Sequence, residues 1–173
     1  MDRVAETRLT DTSYAVLGLL DQWGPATPYQ LKQVAQVSVF HFWSIPHTQI
    51  YTECARLAEA GLLTERREET GRRRRTFELS ASGRRALNGW RADPETDLYE
   101  LRDPGLLKLF CGADPAALAE AQLARHERRL ASYERMRGDG GMPTGMRLAL
   151  EAGIGHEREY VRFWSQVLRE SRE

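Results

Sequence analysis

Apolar positions in the first half of the chain recur at helical spacing in successive short blocks, each closed by a glycine or proline, before giving way to alternating extended runs. In YAVLGLLDQW, Tyr14, Leu17 and Leu20, with Gly18 beside them, define a first helix. Thr10, Asp11, Thr12 and Ser13 offer side-chain oxygens for its first free amides, and Gly24-Pro25 stops it. Thr27 is the predicted cap of a second helix, with Pro28 at its first position, where a missing N–H costs nothing. Residues 38–45, SVFHFWSI, are apolar and aromatic without a period and are expected to form a packed connector. A third helix is expected over Pro46–Ala60. At one hundred degrees per residue, Cys54, Leu57 and Gly61 fall within about forty degrees of Ile50 and form an inward stripe. Thr48, Thr52 and Arg56 point the other way, flanked by Gln49 and Tyr51, so the outward face carries hydrogen-bonding groups.

Gly61 is placed to end that helix in the left-handed conformation. Leu62–Arg66 and Thr76–Leu79 then read as short strands around a charged tip, Glu69-Thr70-Gly71-Arg72. Arg72, Arg73, Arg74 and Arg75 set four guanidinium groups on or beside the tip, of which strand alternation allows about half to face one partner. Ser80 or Ser82 caps a fourth helix ending near Trp90. Helix, helix, helix, hairpin is the order of a winged helix-turn-helix, in which the third helix enters the major groove and the wing follows the backbone.

Composition shifts after Asp93, where DPETDLYELRDP is acidic and bounded by prolines. This predicts a boundary between a winged-helix domain, 1–92, and a C-terminal domain, 93–173. A short helix, GLLKLFC, precedes two long ones. In the first, Ala116, Leu123, Leu130 and Arg137 repeat with Ala119, His126 and Tyr133 between them; in the second, Met146, Leu150, Gly153, Tyr160, Trp164 and Val167 form a stripe. GDGGMP turns the chain between them. The fold class expected is therefore mainly α, a winged helix-turn-helix with a small β-hairpin wing and a C-terminal antiparallel helical hairpin. A hairpin of this kind has more apolar surface than it can hide alone, and a second copy of the chain is the simplest cover, giving a homodimer.

Charge adjusts this picture slightly. The formal net charge is zero. Residues 1–92 nevertheless hold thirteen basic against ten acidic residues, and residues 93–173 twelve against fifteen. The positive half holds the candidate DNA motif. Only Lys32 and Lys108 of the twenty-five basic residues are lysines, and arginine suits phosphate and guanine. No apolar run is long enough to cross a bilayer and the N-terminus has no signal-like apolar region, so no membrane partner is expected and the cytoplasm is the default location. Cys54 and Cys111 are far apart and lack a CxxC partner, which suits a reducing compartment. His41, His47 and Cys54 match no standard metal-ligand spacing, and no catalytic or phosphate-cradling motif is present, so neither a metal, a cofactor nor an enzymatic activity is expected.

YAVLGLL, TPYQLKQ, HFWSIPHTQIYTECARLAEAGLL, the tip GR and ELSASGRRAL occur in an order and spacing by which residues 12–90 resemble the DNA-binding domain of PadR-type transcriptional regulators. The C-terminal helices resemble the family's longer subtype in length and hairpin form. The resemblance implies a homodimeric repressor, autoregulatory or acting on a neighbouring gene, released from operator DNA by a small molecule. On the matching positions it implies phosphate contacts by Tyr29 and Lys32, major-groove positions for Gln49, Tyr51 and Thr52, and a wing tip at Gly71-Arg72. The chain departs from the family at Pro28, where glycine is common, at Thr52, where proline is common, and at Arg72–Arg75, where the wing commonly contains proline.

The candidate DNA contacts are thus Tyr29, Lys32, Thr48, Gln49, Tyr51, Thr52, Arg56, Gly71, Arg72, Arg73 and Arg74. A dimer would read a palindromic operator on double-stranded DNA. Phe40 and Trp43, with Tyr160 and Trp164, are candidate linings for a small aromatic effector. Core and dimer packing is the preferred role for these aromatics. A reading from another class is a protein-interaction module in which the winged helix docks a partner protein; weak salt dependence would distinguish it.

Overall fold

The computed structural model describes residues 8–68, 74–137 and 141–173, leaving aside the side chains of Phe40 and His47. Two compact units divide the chain, 1–96 and 97–173.

In the first unit, α1 (Asp11–Trp23) and α2 (Pro28–Gln36) begin with the same device. The Thr10 hydroxyl accepts from the Ser13 amide while Ser13 Oγ accepts from the Thr10 amide, and Thr27 exchanges the equivalent pair of bonds with Gln30. Each reciprocal cap satisfies two amides that the helix leaves free. Gly24, at φ 78°, closes α1. Residues 39–41 form one 3₁₀ turn, and α3 spans His47–Glu59. Its end is a Schellman motif: Gly61, at φ 71°, donates to Ala58 O at 3.0 Å, and Leu62 donates to Leu57 O at 2.9 Å.

The wing is an antiparallel pair, β1 (Leu63–Arg67) and β2 (Arg75–Leu79), with Leu63 opposite Leu79 and Arg67 opposite Arg75. Ala26 exchanges two backbone hydrogen bonds with Phe77, at 3.0 and 2.9 Å, so the loop between α1 and α2 covers the outer edge of β2. No sequence pattern announces this bridge, because a single paired residue has no period. Ser80 caps α4 (Ala81–Ala92), which returns to α1 through the stacked rings of Tyr14 and Trp90 and through Asp21, bound by Arg84 and Arg91 at 2.6 and 2.8 Å.

The core of this unit contains Val16, Leu17, Leu20, Leu31, Ile50, Cys54, Leu57, Leu63, Phe77 and Leu87. The expected inward stripe of α3 is therefore observed. In the first helix, Val16 and Leu19 are more deeply buried than Tyr14, which lies half-buried under Trp90. The connector differs from expectation: Ile45 is buried, but Phe42 and Trp43 are 68% and 42% exposed.

Residues 93–103 are exposed apart from Asp103 and form no helix or strand. In the second unit, Asp103 caps α5 (Pro104–Phe110), and α6 (Pro115–Arg137) and α7 (Thr144–Glu170) form an antiparallel pair. The opposed direction follows from the cross-helix links Glu120–Arg172, His126–Glu157, Glu134–Arg158 and Arg137–Glu151. Gly153 allows close approach, since a Cβ there would lie 3.2 Å from the Tyr133 ring. The inward face of α7 includes Ile154 and Glu157 as well as Trp164. Glu157 is 2% exposed, and its carboxylate accepts from His126 Nδ1 at 2.6 Å and Arg129 Nη1 at 3.5 Å. A search for apolar positions passes over such a glutamate.

Candidate nucleic-acid interface

Ile50, Cys54 and Leu57 are fully buried, which fixes the rotation of α3 about its axis. That rotation leaves Thr48, Gln49, Tyr51 and Thr52 exposed. Thr52 Oγ1 donates to Thr48 O at 3.1 Å, a back-bond that occupies its proton but leaves its lone pairs available. Tyr51 forms one wall of a groove of about 690 Å³ whose other walls are Thr27, Pro28, Tyr29, Gln30 and Gln33 from α2 and Arg74, Arg75 and Phe77 from β2. Tyr29 is exposed, and its hydroxyl accepts from Gln33 Nε2 at 3.3 Å. The α3 helix, α2 and the wing therefore share one continuous cleft.

Arg56 is set apart from this face. Its Nε and Nη2 donate to Glu53 at 3.0 and 2.6 Å, Nη2 also donates to Ser13 Oγ at 2.9 Å, and Nη1 donates to Arg8 O at 3.2 Å. Burial alone would raise the Glu53 carboxyl, but hydrogen bonds from Arg56 and Ser13 outweigh it and hold the group below the usual glutamate value. The structure thus joins Arg56 to the start of α1, away from Gln49 and Tyr51. An outward angle on a helical wheel gave only the direction of its Cβ, and the long side chain folds back.

The wing arginines also separate. Arg75 donates to both oxygens of Glu65, from Nε at 2.8 Å and Nη2 at 2.7 Å, and Arg67 Nε donates to the same carboxylate at 2.5 Å. These bonds, that from Arg75 first, hold the Glu65 carboxyl down at about 2. Arg75 lies 5.2 Å from the centroid of the Phe77 ring, over a residue buried in the core. On the other face of the hairpin Arg66 pairs with Glu78 at 3.3 Å. Arg74 is exposed and has no ion pair among the described residues. Gly71, Arg72 and Arg73 lie outside the described residues.

Tyr29, Thr48, Gln49, Tyr51, Thr52 and Arg74 are thus brought to one side of the unit, while Lys32 is half-buried on α2 and does not line the groove. Sequence reading missed Gln30, Gln33, Glu65 and Phe77. The first two are one and four residues beyond Tyr29, a spacing that brings Gln33 beside Tyr29 on a helix. Glu65 and Phe77 were recoverable only from the strand register.

The aromatic candidates divide between the two units. Trp43 is partly exposed, the side chain of Phe40 is not described, and Tyr160 stacks on His156 and meets the His126 ring at a tilt. Burial first, then the Asp103 carboxylate, pushes the Tyr160 phenol up to about 12. Trp164 is fully buried, and its indole Nε1–H has no hydrogen-bond partner among the described residues. Among the described residues no group of three His, Cys, Asp or Glu side chains could hold a metal ion. Burial pushes the Cys54 thiol up to about 12, which makes it a poor nucleophile.

Three short helices, the third with an uncovered polar face, and an arginine-bearing hairpin beside it define a winged helix-turn-helix regulator. Residues 16–89 match the model of the Transcriptional regulator PadR-like family, and residues 101–171 match the model named Virulence activator alpha C-term. The chain is 25% identical to the negative transcriptional regulator PadR of Bacillus subtilis, an alignment covering 90% of this chain and 94% of that one. It also superposes on the crystal structure of B. subtilis PadR in complex with operator DNA, with a TM-score of 0.81 at 24% identity over 94% of this chain and 99% of that one. With the same protein in complex with p-coumaric acid the TM-score is 0.74 at 23% identity, over 96% and 99% of the two chains. Over its winged helix the chain thus resembles the PadR-like family of transcriptional regulators, and over most of its length the B. subtilis regulator PadR.

Proposed function

We propose that this protein is a sequence-specific repressor that binds a palindromic operator as a homodimer and leaves it when a small aromatic effector binds. Residues 1–92 form the DNA-binding domain and residues 93–173 the dimerisation domain. Thr48, Gln49, Tyr51 and Thr52 enter the major groove, where side-chain amides and hydroxyls read base edges. Tyr29, Lys32, Arg74 and the tip residues Gly71, Arg72 and Arg73 follow the phosphates. The cytoplasm, where operator DNA is accessible, is its compartment, and it acts as a regulator with no catalytic step.

One observation carries this reading: four hydrogen-bonding side chains lie exposed on one face of α3, beside a cleft walled by two tyrosines and Arg74. The operator complex and the p-coumaric acid complex of B. subtilis PadR support the DNA and effector parts by analogy. Phe40, Trp43, Tyr160 and Trp164 remain the aromatic candidates for contact with the effector.

Gel shifts with the DNA upstream of the protein's own gene test the proposal. Selective binding is expected, and Gln49→Ala and Tyr51→Ala should each weaken it by about 1–3 kcal/mol. Addition of p-coumaric acid or a related phenolic acid should release the DNA. Unselective binding that both substitutions leave unchanged would sink the proposal, and binding without salt dependence would favour docking of a partner protein.

A further inference from the structure

The register of the wing places Glu65 opposite Phe77 and Arg67 opposite Arg75, so these four side chains share one face of the hairpin. Arg75 and Phe77 on that face line the cleft that also contains Tyr51 and Tyr29. Two arginines directly opposite one another would repel; a single carboxylate bound to both cancels half of their charge. Arg75 holds it with a fork of two bonds, the geometry in which guanidinium recognises phosphate. Glu65 therefore occupies these cations as a phosphate would.

Resting on the DNA-binding reading above, we infer that Glu65 limits sequence-independent binding by withholding Arg67 and Arg75 from the DNA backbone, leaving discrimination to the exposed face of α3. Its carboxyl is held down at about 2, so the restraint is present at any pH at which the protein would work. Release of the two arginines would add up to two phosphate contacts to every duplex, operator or not. Each contact steepens the dependence of log K on log salt by about 0.9.

The experiment measures binding of wild type, Glu65→Gln and Glu78→Gln to a fluorescent duplex of arbitrary sequence between about 50 and 200 mM salt. Glu78→Gln is the control, because it removes the same charge from the Arg66 pair on the other face of the wing. Glu65→Gln is expected to steepen the slope by about 1–2 and to tighten binding at about 0.1 M salt by roughly threefold to tenfold. Glu78→Gln should produce less than half of that change. Replacing Arg67 and Arg75 by alanine in the Glu65→Gln background should return the slope to the wild-type value or below.

An unchanged slope in Glu65→Gln, weaker binding, or an equal change in Glu78→Gln would overturn the inference while leaving the DNA-binding reading intact. Failure of wild type and variants alike to bind duplex, although folded by circular dichroism, would overturn both. Glu65→Asp, which keeps the charge, should remain near the wild-type slope if its circular dichroism is native; a slope as steep as that of Glu65→Gln would also count against the inference.

Discussion

A methyl group at position 83 has no room. A Cβ there would lie 2.1 Å from the backbone oxygen of Leu62, well inside any real contact. Alanine usually improves a helix over glycine by up to about 1 kcal/mol, but here the backbone of the turn before β1 would have to move. Gly83→Ala is expected to destabilise the unit by about 1–3 kcal/mol, read from the urea midpoint. Glu65 supplies a second residue-scale expectation. Its folded value of about 2 lies below the ordinary value of 4.5, so its ion pairs contribute stability above the ordinary value and lose it as pH falls from about 4.5 to about 2. Over that window the thermal midpoint of Glu65→Gln should fall less than that of wild type; parallel curves would contradict the coupling. Helical angle predicted that Thr48, Gln49, Tyr51 and Thr52 lie on the outside, because burial of Ile50, Cys54 and Leu57 determines it. It could not locate the guanidinium of Arg56, whose end point depends on Glu53 and on Ser13, forty-three residues earlier.

Helix boundaries were the most legible elements, since their signals are local. Thr10, Thr27 and Ser80 cap the helices they precede, and Gly61 supplies the positive φ that closes α3. Features that depend on distant partners were hidden: the Ala26 bridge to β2, the sharing of Glu65 between strands, and the buried Glu157 of α7. The aromatic connector misled for a related reason. Lack of period suggests packing, whereas among the described side chains of this stretch Ile45 alone is buried and Phe42 and Trp43 are exposed. Ser80 joins elements in two directions: its hydroxyl accepts from the Gly83 amide at 3.0 Å and donates to Gly61 O at 2.8 Å. Ser80→Ala should therefore cost about 0.5–2 kcal/mol of cap energy, with the loss of the turn contact as well. A change in urea midpoint below that range would mean that water replaces both bonds.

At the scale of the whole molecule, α6 and α7 lie against each other for most of their length, yet Leu107, Phe110 and Leu148 of the second unit remain exposed. Under the proposed function a second copy covers this surface. Deletion of residues 144–173 should then give a monomer or an insoluble chain on sizing; an intact dimer would refute the assignment of 93–173 as the dimerisation domain. The tryptophans suit these measurements. Trp23, Trp43 and Trp90 belong to the first unit and are partly exposed, whereas Trp164, the only one beyond residue 96, is fully buried. A fully buried indole emits at shorter wavelength than one that meets solvent. The blue side of the emission band therefore reports on the last helix and the red side on the winged helix, so one unlabelled sample can follow the two through separate optical channels.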